Sequence, residues 1–194
     1  MPVLAIADAS VVGNLPSLSS ADADAVRRAV RYLYDLGHRQ IARVGGPESL
    51  AHSYIRDSAF ADVASELGMR YRCLHTDYTP ETGREVTKRL LAFSEHPTAI
   101  IYDNDVMALA GLGVAASQGI KVPEEISIMS WDDSLMCTAA YPNLTAMGRD
   151  VVDTGKQAAG LLLKLIGGER VGHLMEGPYE LRARASTGPA PAAE

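Results

Sequence analysis

Four groups of polar residues stand immediately after four short aliphatic runs: Gly45-Gly46-Pro47 followed by Arg56, then Asp77-Tyr78, Asp103-Asn104-Asp105 and Trp131-Asp132-Asp133. Carboxylates accept in pairs, a carboxamide both accepts and donates, a guanidinium donates through a planar fork, and an aromatic ring covers an apolar face. Such a set suits a neutral polyhydroxylated molecule, a sugar or a nucleoside. Three or four charge-assisted hydrogen bonds of roughly 1.5 to 3 kcal/mol each support micromolar binding once the entropy of association is subtracted. A second reading stays open for Asp77, Asn104 and Asp132, since these residue types also cap helices wherever a strand turns into one, and the two roles can coexist.

Catalytic patterns are missing. No G-x-S-x-G elbow is present and the five histidines follow no motif; His38, at a helix end, reads as structural. Asp103, Asp105, Asp132 and Asp133 lack the compact spacing of a calcium loop and have no H-x-x-x-H partner, so no metal is expected. Gly45-Gly46 is followed by neither G-x-G-x-x-G nor G-K-[ST], so no nucleotide cofactor is expected. The expected activity is binding without catalysis.

The 194 residues, 47% hydrophobic, are enough for a soluble globular chain of one domain or slightly more. A net charge of -6 argues against a nucleic-acid groove, and the densest basic spots, Arg27-Arg28 and Arg182 with Arg184, read as solvated faces. With two cysteines and no charged-then-apolar leader, the expected location is the cytoplasm. The apolar run from Ala158 to Ile166 is broken by Gly160 and Lys164 and is too short to span a membrane.

The elements that must carry these groups alternate. After an apolar opening, Val3 to Ala7, a helix capped by Ser20 or Asp22 buries Val26, Val30 and Leu33 and stops at Gly37. Strands are expected at Ile41–Val44, Tyr71–His75, Ala99–Tyr102 and Ile126–Ser130, with helices between them, the first from about Ala51 to Leu67. Four strands in series, each joined through a helix, imply a parallel sheet with right-handed crossovers, whose ligands sit outside the carboxyl ends of the strands. Beyond Tyr141, Leu144–Met147 reads as a loop or edge strand, Val151–Ile166 as a helix, Tyr179–Ala183 as a strand, and 189–194 as a disordered tail.

The order of motifs resembles the effector-sensing region of the LacI/GalR family of bacterial repressors. The resemblance runs from about residue 15 to 188. It is carried by Leu36-Gly37-His38-Arg39-Gln40-Ile41 before Gly45-Gly46-Pro47, Pro97-Thr98-Ala99-Ile100 before Asn104-Asp105, and Val122-Pro123-Glu124-Glu125-Ile126-Ser127. Asp132-Asp133, Pro142-Asn143-Leu144-Thr145 and the closing Leu181-Arg182-Ala183-Arg184-Ala185-Ser186-Thr187 complete it. It departs from the family's usual residues at Ala21, Ala59, Ala110 and Ser130.

The resemblance implies an α/β fold of the periplasmic-binding-protein type I, a parallel sheet flanked by helices on both faces, with an incomplete second lobe. Residues 1–14 and 149–172 would belong to that lobe, and 15–148 with the strand in 173–188 to the complete one. It further implies that Arg56 and Asn104 bind ligand hydroxyls, Asp132 accepts from the ligand, Tyr78 stacks on it and Arg149 adds a polar contact. Partners would be a sugar or nucleoside, a second copy of the chain, and DNA only through a helix-turn-helix that these residues do not contain. The helix 151–166 would lack the sheet it normally covers, leaving a dimer contact, local disorder or a compensating partner. A solute-binding protein of a sugar importer is the alternative, disfavoured by the missing export signal and by the motifs around Gly37 and Pro142.

Overall fold

The computed structural model describes residues 1–192. In chain order the elements are β1 (Ala5–Ile6), α1 (Ala9–Val12), β2 (Ser17–Ser19), α2 (Asp22–Asp35), β3 (Gln40–Gly45), α3 (Ala51–Glu66), β4 (Arg70–His75) and α4 (Pro80–Leu91). They continue with β5 (Ala99–Tyr102), α5 (Asp105–Ser117), β6 (Ser127–Trp131), α6 (Leu135–Ala139), β7 (Thr145–Gly148), α7 (Val151–Ile166), β8 (His173–Met175) and β9 (Glu180–Arg182). No helix among the described residues is long and apolar enough to cross a membrane. The chain divides into two compact units, Met1–Asp22 with Arg149–Tyr179, and Ala23–Gly148 with Glu180–Glu194.

The larger unit holds a six-stranded sheet in the order β4-β3-β5-β6-β7-β9, parallel except for β9. β5, β6 and β7 are buried along their whole length, as apolar runs in a parallel sheet covered by helices must be. β4 is the edge strand, and its exposed Arg70 and Arg72 discourage further pairing. Helix ends follow the expected chemistry. Pro80 opens α4 after the Thr79 cap, and the side chains of Asn104 and Ser134 accept from the second or third helical amide of α5 and α6. The core joins Val44, Leu90, Ile100, Tyr102, Met107 and Ile128 with their neighbours.

His38 is structural, as expected. It is completely buried, with Nδ1 2.9 Å from Thr98 Oγ1 and Nε2 3.1 Å from Ser127 Oγ and 3.2 Å from the Gly188 carbonyl. The Ala190 amide donates to the Leu36 carbonyl at 2.8 Å, which ties the chain down through that residue; the last two residues of the expected tail lie outside the described residues.

The smaller unit has a three-stranded parallel sheet, β1-β2-β8. Its interior is polar: Arg149 pairs with Glu176, Thr154 Oγ1 donates to Glu176 at 2.6 Å, and Tyr179 donates to Asp22 at 3.2 Å. On α7 only Thr154 is buried, while Val151, Val152, Leu163 and Ile166 are exposed, in keeping with the helix expected to lack its cover.

Several expectations are corrected. β2 and β8 are strands that short, mixed segments did not suggest, and their pairing puts 15–22 and 173–179 with the smaller unit. Thr145–Gly148 is no loop or edge: β9 returns from far along the chain and pairs antiparallel with it, a contact invisible to local patterning.

Burial holds the His38 pKa below its usual 6.5, against the opposing effect of its hydrogen bond to the Gly188 carbonyl. The unfolded chain therefore binds a proton that the folded chain refuses, so stability is level above about pH 6.5 and falls as the pH drops through and below it. Urea midpoints measured from pH 7.5 down to about 5 should decline, and His38→Gln should flatten that part of the profile. A wild-type midpoint level across the interval would contradict the assignment.

Candidate functional site

The order β4-β3-β5-β6 places four parallel strands side by side, so their carboxyl ends share one edge of the sheet. From β3 the chain first moves outward to β4 on one side and then to β5 on the other. This reversal is where neighbouring loops part and an open sheet offers a crevice. Arg56 lies on α3 after β3, Tyr78 follows β4, Asn104 follows β5 and Asp132 follows β6. The larger unit thus brings four of the five expected residues to one edge. Arg149 belongs to the smaller unit, where it pairs with Glu176 and lies 5.8 Å over the Tyr179 ring.

Backbone strain marks the same edge. Among the described residues, the two non-glycine positions with positive φ are Tyr78 at 68° and Asp132 at 66°. A side chain in the left-handed region costs about 1 to 2 kcal/mol, less for Asp, and persists where the surroundings over-determine it, as binding sites do.

The Tyr78 amide donates to Thr76 Oγ1 at 3.2 Å and its carbonyl accepts from Asn104 Nδ2 at 3.2 Å. Its hydroxyl lies 2.7 Å from His52 Nε2, and burial raises its pKa. Gly46 makes room for the ring: a Cβ there would stand 1.9 Å from Tyr78 Cζ.

Asn104 does two jobs, since its Oδ1 accepts from the Met107 amide at 2.8 Å and caps α5. Asp77 buttresses the Thr79 cap of α4 without being the cap itself. It accepts from the Thr79 amide and from the Thr79 and Thr82 hydroxyls, bonds that hold its carboxyl down to about 2. Ser134, and not Asp132, caps α6, and Asp132 is exposed at the strand end. Its neighbour Asp133 is engaged by Arg184 and Arg182, and the Arg184 hydrogen bond leads in holding its pKa low. The two aspartates therefore differ in exposure, Asp132 lying at the surface and Asp133 half-buried against two arginines.

Arg56 is nearly buried, its guanidinium 4.6 Å over the Trp131 ring and its Nη1 3.6 Å from Asp103 Oδ2. Asp103 in turn accepts from Arg43 Nη2 at 2.5 Å, and Arg43 also bonds Asp57. His75 lies between Asp57, at 2.8 Å, and Glu48, at 2.9 Å. Sequence reading missed Arg43 and His52, and named Asp103 only as a member of its strand-end cluster. The available signal was Arg43 itself, a lone charge inside an otherwise apolar strand with both neighbouring strands paired to it.

Residues 30–187 match the family model described as a periplasmic binding protein-like domain. A LacI family transcriptional regulator from Bifidobacterium animalis subsp. lactis DSM 10140 superposes with a TM-score of 0.96 and 59% identity, over 98% of this chain and 70% of that one. The chain belongs to the LacI family. Its periplasmic-binding-protein-like fold is also that of the dimeric lac repressor with an 11-residue C-terminal deletion, at a TM-score of 0.88 and 27% identity over 97% of this chain and 68% of the other. Among curated LacI-family relatives, the HTH-type transcriptional repressor CytR of Escherichia coli (strain K12) is 33% identical over 180 residues, 90% of this chain and 52% of CytR. The chain spans about half the length of such relatives, which are transcriptional regulators and not enzymes.

The strain at Asp132 sets a test. Asp132→Gly should leave the urea stability within about 0.5 kcal/mol, whereas Asp132→Val, β-branched and forced to positive φ, should lose about 1 to 2 kcal/mol. Equal stability of the two variants would show that the left-handed geometry is not maintained.

Proposed function

We propose that this chain is the small-molecule-sensing and dimerisation region of a bacterial LacI-family transcriptional regulator, with a sugar or nucleoside as effector. One observation carries the reading. Arg56, Tyr78, Asn104 and Asp132 stand at the ends of four adjacent parallel strands, and two of them are held in a backbone conformation with a steric cost. The local charges favour a neutral ligand: Arg56 already faces buried Asp103, and Asp132 adds an acceptor. A phosphorylated ligand would meet that carboxylate without a matching gain in positive charge.

In this reading Arg56 and Asn104 donate to ligand hydroxyls, Asp132 accepts from them and the Tyr78 ring covers the apolar face of the sugar. The fifth expected ligand contact, Arg149, lies on the smaller unit. The region works without catalysis, in the cytoplasm, and reaches DNA through a helix-turn-helix outside these 194 residues. The solute-binding alternative gains nothing from relatives that are transcriptional regulators.

A second copy is the expected partner. The larger unit carries a groove of about 320 Å³ lined by Pro80, Val106, Leu109, Ala110 and Met136 on α4, α5 and α6, with Leu135 exposed beside it. A similar protein is described as the dimeric lac repressor, which supports a homodimer here.

Titration calorimetry with ribose, adenosine and uridine should find micromolar binding of at least one, weakened about tenfold or more by Arg56→Ala and by Asp132→Ala. Affinity unchanged in both variants would remove these residues from the site. Light scattering should report two copies for the wild type and one for Leu109→Asp/Met136→Asp, a change that buries unpaired charge in the groove. A dimer that survives this double substitution would place the interface elsewhere.

A further inference from the structure

We propose that Arg43 and Asp103 are positioning residues that hold the Arg56 guanidinium over Trp131, an assignment whose purpose rests on reading Arg56 as a ligand contact. The Asp103 side chain is wholly buried, and its Oδ1 has no hydrogen-bond partner. A carboxylate so buried needs a cationic partner, and Arg43 supplies one through a 2.5 Å hydrogen bond to Oδ2. Arg56 faces the same oxygen at 3.6 Å, an attraction without a hydrogen bond between those two atoms.

The arrangement has two consequences. Asp103 draws the Arg56 guanidinium onto the Trp131 face, and Arg43 keeps Asp103 from swinging out to capture Arg56 in a closed fork. Arg43 also bonds Asp57, the residue next to Arg56 on α3, so the one buried guanidinium grips both the helix that carries Arg56 and the strand end that faces it. The interior charges balance, with Arg43 and Arg56 against Asp57 and Asp103.

Trp131 is the only tryptophan in the chain and is buried beneath Arg56, so its fluorescence reports this placement without any ligand. Arg56→Leu should shift the emission and change acrylamide quenching. Removing Asp103 alone would strand a buried cation, so the decisive variant is the charge-balanced Arg43→Met/Asp103→Asn. It is expected to keep the wild-type far-UV circular dichroism, to reproduce the Arg56→Leu spectrum, and to show no further change when Arg56→Leu is added to it. Ribose, adenosine or uridine, whichever the wild type binds, should bind the double variant about tenfold more weakly.

A double variant that lowers the urea midpoint but leaves Trp131 at its wild-type spectrum would overturn the proposal, as would spectral changes that add to those of Arg56→Leu. Loss of the fold would overturn it too, by making the pair a requirement of the core. If the wild type binds none of the three probes, the ligand reading fails while the fluorescence comparison still decides the positioning.

Discussion

A guanidinium cannot stay in a protein interior without counter-charge, and Arg43 sits in the middle of β3 with only 1% of its surface exposed. Its two carboxylates come from different elements, Asp57 from α3 and Asp103 from the end of β5. Each has a neighbour in sequence that belongs to the candidate site: Arg56 precedes Asp57, and Asn104 follows Asp103. Satisfying one buried charge therefore also sets where two of the polar groups on the strand-end edge can stand. Asn104 extends the chain of constraint, since it caps α5 and bonds the Tyr78 carbonyl. The polar edge is in this sense an outgrowth of the core.

The same economy explains which residues bear strain. Tyr78 is boxed in by Gly46 behind its ring, His52 at its hydroxyl, and Thr76 and Asn104 on its backbone. Those contacts over-determine a left-handed turn that an unsupported loop would relax. Asp132 lies at the equivalent place after β6, its amide bonded to the Met147 carbonyl at 3.0 Å. Two strand ends thus use the same unfavourable backbone state to present side chains that would otherwise follow the strand direction.

Much of the larger unit was legible because its strands are short runs of Ile, Val and Ala closed by Gly, Pro and Asp, and its helices carry recognisable caps. The parallel order of β3, β5 and β6 followed from the helices between them. What could not be read depended on distant partners. Leu144–Met147 looked like an edge because β9 is supplied from beyond α7, and β2 and β8 are three-residue strands that exist only through each other. For the site, residue type and position after a strand picked out the clusters that hold Arg56, Tyr78, Asn104 and Asp132, and the family resemblance singled out those four. The same logic could not tell Asp77, whose carboxylate is bonded to the Thr79 cap, from Asp132, which is exposed at its strand end. Nor could it see Arg43, whose meaning lies in the carboxylates that fold against it.

β9 is made only after the whole of α7 and β8, yet it completes the sheet begun by β3. Ser186 bonds the Thr145 amide and the Ile128 carbonyl, and Gly188 accepts from or donates to groups at His38 and Ser127. During synthesis this sheet stays unfinished, with β7 unpaired on one side, until β9 has followed α7 and β8 out of the exit tunnel. The larger unit therefore cannot close before the smaller unit's helix and strand have been made.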